Sequence, residues 1–139
     1  MAGPVYLADT TVFVLQRRHP VVHQRLEQLL AEGRVASCHM TALEFLNNAP
    51  DPRSYEVLWR VMHGHRWVDV NEAAMERALD VHRELARTSQ HRHFRLPDLI
   101  IAATAEQHGL TMLHYDADYD RIAQITNQPA EWVAPRGTL

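Results

Sequence analysis

The chain has no lysine, a single cysteine and no long apolar run. Each absence narrows what it can be. Cys38 has no partner for an internal disulfide, so the fold must be held by packing, and a reducing compartment is expected. It ends the apolar stretch VASC, which reads as a buried small side chain rather than a nucleophile. No segment approaches the roughly 20 apolar residues that span a bilayer, so no membrane role is expected. The first residues, MAGPVYLADTT, carry an acid where a secretory leader would carry basic residues and then a long apolar segment. A cytoplasmic protein is therefore expected. Without lysine, a phosphate-accepting receiver-type domain, which pairs its acceptor Asp with a distant Lys, is disfavoured. Excess positive charge is missing too, with a net charge of −3 when histidines are neutral. That total lacks the basic footprint usual for nucleic-acid binders, although charge distribution and bound cations decide more than the sum.

What is present suits one globular unit. The 139 residues, 46% hydrophobic and 22% charged, suffice for a core without staples, and a single domain over 1–139 is expected. Short apolar runs at 5–8, 35–38, 67–70 and 111–115 read as buried strands, with a last edge strand near Trp132 and Val133. Between them lie helical patterns. TTVFVLQRR follows the first strand, and Pro20 opens a helix that Gly33 stops. Thr41 and Glu44 have the spacing of a capping box, Pro52 opens a helix to Met62, and Asn71 caps a long amphipathic helix. Pro97 opens LPDLIIAATAEQHG, closed by Gly109. Alternating strands and helices predict a three-layer α/β/α domain with a central, mainly parallel sheet of four to five strands. Crossovers should be right-handed, with ligands beyond the carboxyl ends of the strands.

Acids fall at that end. Asp9 follows the first strand, Glu44 sits in the helix after the second, Asp98 is in the helix opened by Pro97, and Asp116 follows the fourth, with Asp118 and Asp120 beyond. Gathered together, such carboxylates repel and resist ionising, a conflict that a hard divalent cation removes. Taken singly, each has an ordinary explanation: an acid in a first helical turn favours the macrodipole, and Asp after a strand is turn chemistry. Their joint placement favours a metal, and phosphodiester hydrolysis by activated water is the chemistry it would serve. The hydroxyls of Thr10 and Thr11 could bond a carboxylate or phosphate, or cap the following helix.

LADTTVFV, TALEFLN, LPDLIIAATAEQHG and LHYDADYDRIA resemble, in order and spacing, the four motifs of PIN-domain nucleases, and among these the VapC toxins of VapBC toxin–antitoxin systems. The likeness runs from Val5 to about Ala123. It implies catalytic and metal-binding roles for Asp9, Glu44, Asp98 and Asp116, with Asp118 at a position acidic in some members. It further implies a ribonuclease dependent on Mg2+ (or Mn2+), acting on tRNA or another structured RNA, a homodimer, and inhibition by a VapB-type antitoxin. Thr11 stands where Ser or Asn is more often seen. Rival readings are a PIN-like DNA or flap nuclease and a non-catalytic RNA- or partner-binding domain.

Other signals are weaker. DADYDR lacks the Gly and Glu of a calcium loop, having Arg121 and Asn127 there. The ten histidines, including HGH and HRH, lack zinc spacing and read as loop residues. Arg92 and Arg95 could hold RNA phosphates, and Phe94 could stack on a base or pack inward. Arg17 and Arg18 read as surface residues. Trp59 and Trp67 are expected in the core, and Trp132 at a core edge or dimer seam. The helix near 22–30 and the apolar face of TTVFVL could form an antitoxin groove.

Overall fold

In the computed structural model, which describes residues 3–139, five short strands form one parallel sheet. Residues 1 and 2 of the expected 1–139 span lie outside the described residues. The strands are β1 (Tyr6–Ala8), β2 (Val35–Ser37), β3 (Arg66–Trp67), β4 (Thr111–His114) and β5 (Ala130–Trp132), in the order β3-β2-β1-β4-β5. Every pairing is parallel. The connections carry α1 (Thr10–Leu15) and α2 (Pro20–Ala31), then α3 (His39–Leu46) and α4 (Pro52–His63). After β3 come α5 (Glu72–Ala86) and α6 (Leu96–Gln107), and after β4 comes α7 (Ala117–Thr126).

The sheet order explains the two helical layers. From β1 through β2 to β3 the chain steps one way across the sheet, and α1 to α4 pack on a single face. From β3 it crosses back to β4 and β5, so α5, α6 and α7 cover the opposite face. The period of two in the strands divides accordingly. Tyr6, Ala8, Val35 and Leu113 pack with Val12, Phe13, Val22, Leu26 and Phe45. Leu7, Ala36 and Met112 pack with Val81, Leu85, Ile101 and Ile122. The travel reverses between β1 and β4, the switch point where open α/β sheets bind ligands.

Local signals hold at several ends. The Asn71 side chain accepts from Ala74 N at 2.8 Å and starts α5. Gly33 and Gly109, with φ of 67° and 65°, turn the chain after α2 and α6 in a conformation that costs other residues more. Other expectations are corrected. Thr41 caps nothing: α3 starts at His39 after Cys38, and Thr41 is buried inside it with its hydroxyl 3.5 Å from Cys38 Sγ. Glu44 thus lies in the second turn. β3 is two residues long and β5 begins at Ala130.

Trp59 is 44% exposed rather than in the core, with Tyr55, Val57 and Val61 also exposed, because α4 buries Met62 fully and little else. Trp67 is half-buried against the α1–α4 core, its indole donating to Met62 O at 2.9 Å. Phe94 is packed inward, among the α5–α6 apolar residues. Val22, Leu26, Leu29, Val12 and Phe13 of the segments expected to form an antitoxin groove are core, which leaves Val14 and Leu30 as their exposed apolar side chains. Trp132 sits at the core edge, against His114 and Tyr115. Among the described residues no helix is long and apolar enough to cross a membrane.

Candidate metal centre

Asp9 continues β1 by one residue, its N–H donating to Leu113 O at 2.9 Å. This bond fixes the Asp9 backbone over the switch between β1 and β4. Asp9 is also the N-cap residue of α1, yet its side chain makes no capping bond. The carboxylate instead accepts from the buried Tyr119 hydroxyl, Oη to Oδ1 at 2.8 Å. Asp98, in the first turn of α6, enters from the opposite helical layer, and Glu44 comes in on α3. One carboxylate oxygen from each of Asp9, Glu44 and Asp98 lies within 4.8 Å of the others. Residues 35 or more positions apart along the chain thus meet because the layers meet at one sheet end.

Electrostatics show the strain of that meeting. The Asp98 carboxyl is pushed up to about 7, first by burial and then by the Asp9 charge, with Arg95 pulling it down and Glu44 adding to the rise. Burial raises the Tyr119 phenol well above its ordinary value, with the Asp9 charge adding to it, so the phenol remains a donor. Arg95, the N-cap residue of α6, pairs through Nη2 with Glu44 Oε2, and its Nη1 is 4.0 Å from Asp98 Oδ1. Even so, Glu44 Oε1 and Asp98 Oδ1 are buried with no hydrogen-bond partner among the described residues. Ordinary folding chemistry leaves few such atoms. Two orphaned carboxylate oxygens beside a third carboxylate fit a hard divalent cation, which takes oxygen ligands.

The other expected residues divide. Asp116 is exposed and stands outside the three-acid group. Its Oδ1 accepts from Asp118 N at 2.8 Å and caps α7, the ordinary turn role of such an acid. Asp118 lies 3.1 Å from His93 Nε2. Thr10 is buried with its Oγ1 unpartnered, whereas Thr11 is exposed; both line a cleft of about 290 Å³ with Val14, Glu44, Asn47, Asn48 and Arg95. Arg92, Arg17 and Arg18 are exposed.

Tyr119 and His114 were not singled out by sequence reasoning. Tyr119 recurs with Ile122 at helical spacing, which signals an inward face but not a hydroxyl aimed at Asp9. His114 continues the Met112 face of β4 and is fully buried, not a loop histidine. Its Nδ1 accepts from Asp116 N at 3.1 Å and its ring is 5.2 Å from that of Tyr119. Burial lowers its pKa, against the opposing pull of Asp120. His65 is half-buried, 3.0 Å from Ser37 Oγ, and its pKa is lowered by that burial.

Fold, switch point and buried acids together define a class that comparison identifies. A model of the PIN domain matches residues 6–125. Ribonuclease VapC51 of Mycobacterium tuberculosis is 39% identical over 134 residues, covering 96% of both chains. The chain belongs to the PIN-domain family, with VapC ribonucleases among its relatives. Among solved structures, a DNA-bound VapBC from Salmonella typhimurium matches with a TM-score of 0.75 at 17% identity, covering 95% of this chain and 100% of that one. VapBC-5 of Mycobacterium tuberculosis, from the VapBC family of toxin–antitoxin systems, matches with a TM-score of 0.52 at 21% identity, over 71% of this chain and 80% of that one. At those identities the likeness concerns the fold.

Proposed function

We propose that this chain is a divalent-metal-dependent endoribonuclease and the toxin of a toxin–antitoxin pair. The observation carrying the reading is the meeting of Asp9, Glu44 and Asp98, with two carboxylate oxygens left unpartnered. These three would hold Mg2+ or Mn2+, with Asp116 and Asp118 at the rim. When bound, the ion supplies Lewis acidity that neutralises a phosphate oxygen and acidifies a water. The residues do the rest. Tyr119 holds Asp9 through Oδ1, and one carboxylate of the cluster helps deprotonate the attacking water. Thr10, Thr11, Arg92 and Arg95 border the path of the RNA backbone, where hydroxyl and guanidinium groups hold phosphates.

The relatives named as ribonucleases support RNA as substrate, and the VapBC structures support a VapB-type antitoxin as partner. A cytoplasmic homodimer folded as one domain over the whole chain completes the proposal. Purified protein free of antitoxin should cut structured RNA with Mn2+ or Mg2+ present and stop with EDTA. Asp9→Asn, Glu44→Gln and Asp98→Asn should each lose roughly 100-fold or more, whereas Asp116→Asn should lose about tenfold. Cleavage indifferent to EDTA, or confined to single-stranded DNA in a parallel assay, overturns the reading.

A further inference from the structure

Arg95 occupies an unusual place. Its side chain is 64% exposed, while the two acids it faces, Glu44 and Asp98, are 13% and 6% exposed. The carboxylates are therefore held by their surroundings and the cation is not. Its backbone is anchored separately, since Arg95 O accepts from Asp98 N at 3.1 Å as α6 begins. The guanidinium can turn without disturbing the helix. It also satisfies the acids incompletely, because Glu44 Oε1 and Asp98 Oδ1 remain without partners. A single charge spread over a planar fork cannot serve three converging carboxylates as a compact divalent ion can. Beside it opens the cleft of about 290 Å³ lined by Thr10, Thr11, Asn47 and Asn48.

We propose that Arg95 is a built-in stand-in for the cation. Without metal its guanidinium neutralises Glu44 and Asp98; on metal binding it is displaced into the adjoining cleft and meets a phosphate of the substrate. This rests on the metal-dependent reading above. One side chain then performs two tasks in sequence, keeping the acids together while the site lacks its ion and clamping the substrate once the ion has come. The fork that fits a carboxylate also fits a phosphate. Because Arg95 is largely exposed, solvent screens its pairing, and the bias against the ion is several-fold rather than prohibitive.

The test combines a binding and a kinetic measurement. Mn2+ affinity is measured by calorimetry without RNA, on the wild type and on Arg95→Ala, Arg95→Lys and Arg92→Ala. Arg95→Ala should bind Mn2+ about three- to tenfold more tightly, while its KM for RNA rises about tenfold. Arg95→Lys should recover part of the KM. Arg92→Ala removes the same charge from the neighbouring loop without contacting the acids, and its Mn2+ affinity should stay within about twofold of the wild type. Equal or weaker Mn2+ binding by Arg95→Ala overturns the proposal, as does an equal gain in Arg92→Ala, which would reveal a general field effect. If the wild type binds no Mn2+ at all, the metal centre itself fails and the displacement with it.

Discussion

Replacing Asp98 by Asn should change the pH dependence of stability more than any other single substitution at the site. Asp98 titrates at about 7 in the folded, metal-free protein, against 3.8 for the ordinary side chain. Between those values the folded state holds a proton that the unfolded state has released. Stability therefore falls as pH rises through the window, and the loss is complete above about 7. The full difference of roughly three units corresponds to about 4 kcal/mol, of which about 2 to 3 kcal/mol develops between about pH 5 and pH 8. The half-buried His65 and the buried His114 push the other way below their ordinary value of 6.5, since the unfolded chain protonates them first.

Comparing Asp98→Asn with the wild type cancels the histidines. Urea unfolding in EDTA at several pH values should show the advantage of Asp98→Asn growing by about 2 to 3 kcal/mol from acid to alkaline pH. Saturating Mn2+ should shrink the wild-type penalty, because an ion compensates the ionised carboxylate. Parallel curves in EDTA would refute the argument that burial and the Asp9 charge destabilise this carboxylate.

Tyr119→Phe deletes the one hydroxyl bonded to Asp9 Oδ1 at full burial and should cost about 1.5 to 3 kcal/mol in the metal-free protein, read by the same unfolding assay. Cleavage activity of that variant should fall as well, with wild-type activity counting against a positioning role. Asn71→Ala removes the cap on α5 and should lower stability by about 1 kcal/mol without altering Mn2+ affinity. Trp59→Ala should change stability by less than about 1 kcal/mol, since the residue is nearly half exposed; a loss of several kcal/mol would place it in the core after all.

Sequence patterns made the architecture legible where chemistry is local. Period-two strands, Pro20 and Pro97 at helix starts, Asn71 as a cap and glycines with positive φ are fixed by neighbours a few residues away. Thr41 misled for an instructive reason. Its spacing to Glu44 matches a capping box, but packing of Ala42 and Phe45 against the sheet carries α3 back to His39 and turns Thr41 inward. Trp59 misled likewise, because a large apolar side chain is buried only if something faces it.

The order of residue types along the chain determined that acids follow strands, and parallel pairing put them at one end of the sheet. Which of them converge was decided in three dimensions. Asp9 and Asp116 look alike on paper, each ending an apolar strand. Asp9 is drawn to Tyr119 and turned toward Asp98, whereas Asp116 folds back on the start of its own helix. The difference lies in long-range contacts: a phenol 110 residues away claims one carboxylate, and a backbone amide two residues away claims the other. Local rules anticipate the second kind of bond; only the closed fold creates the first.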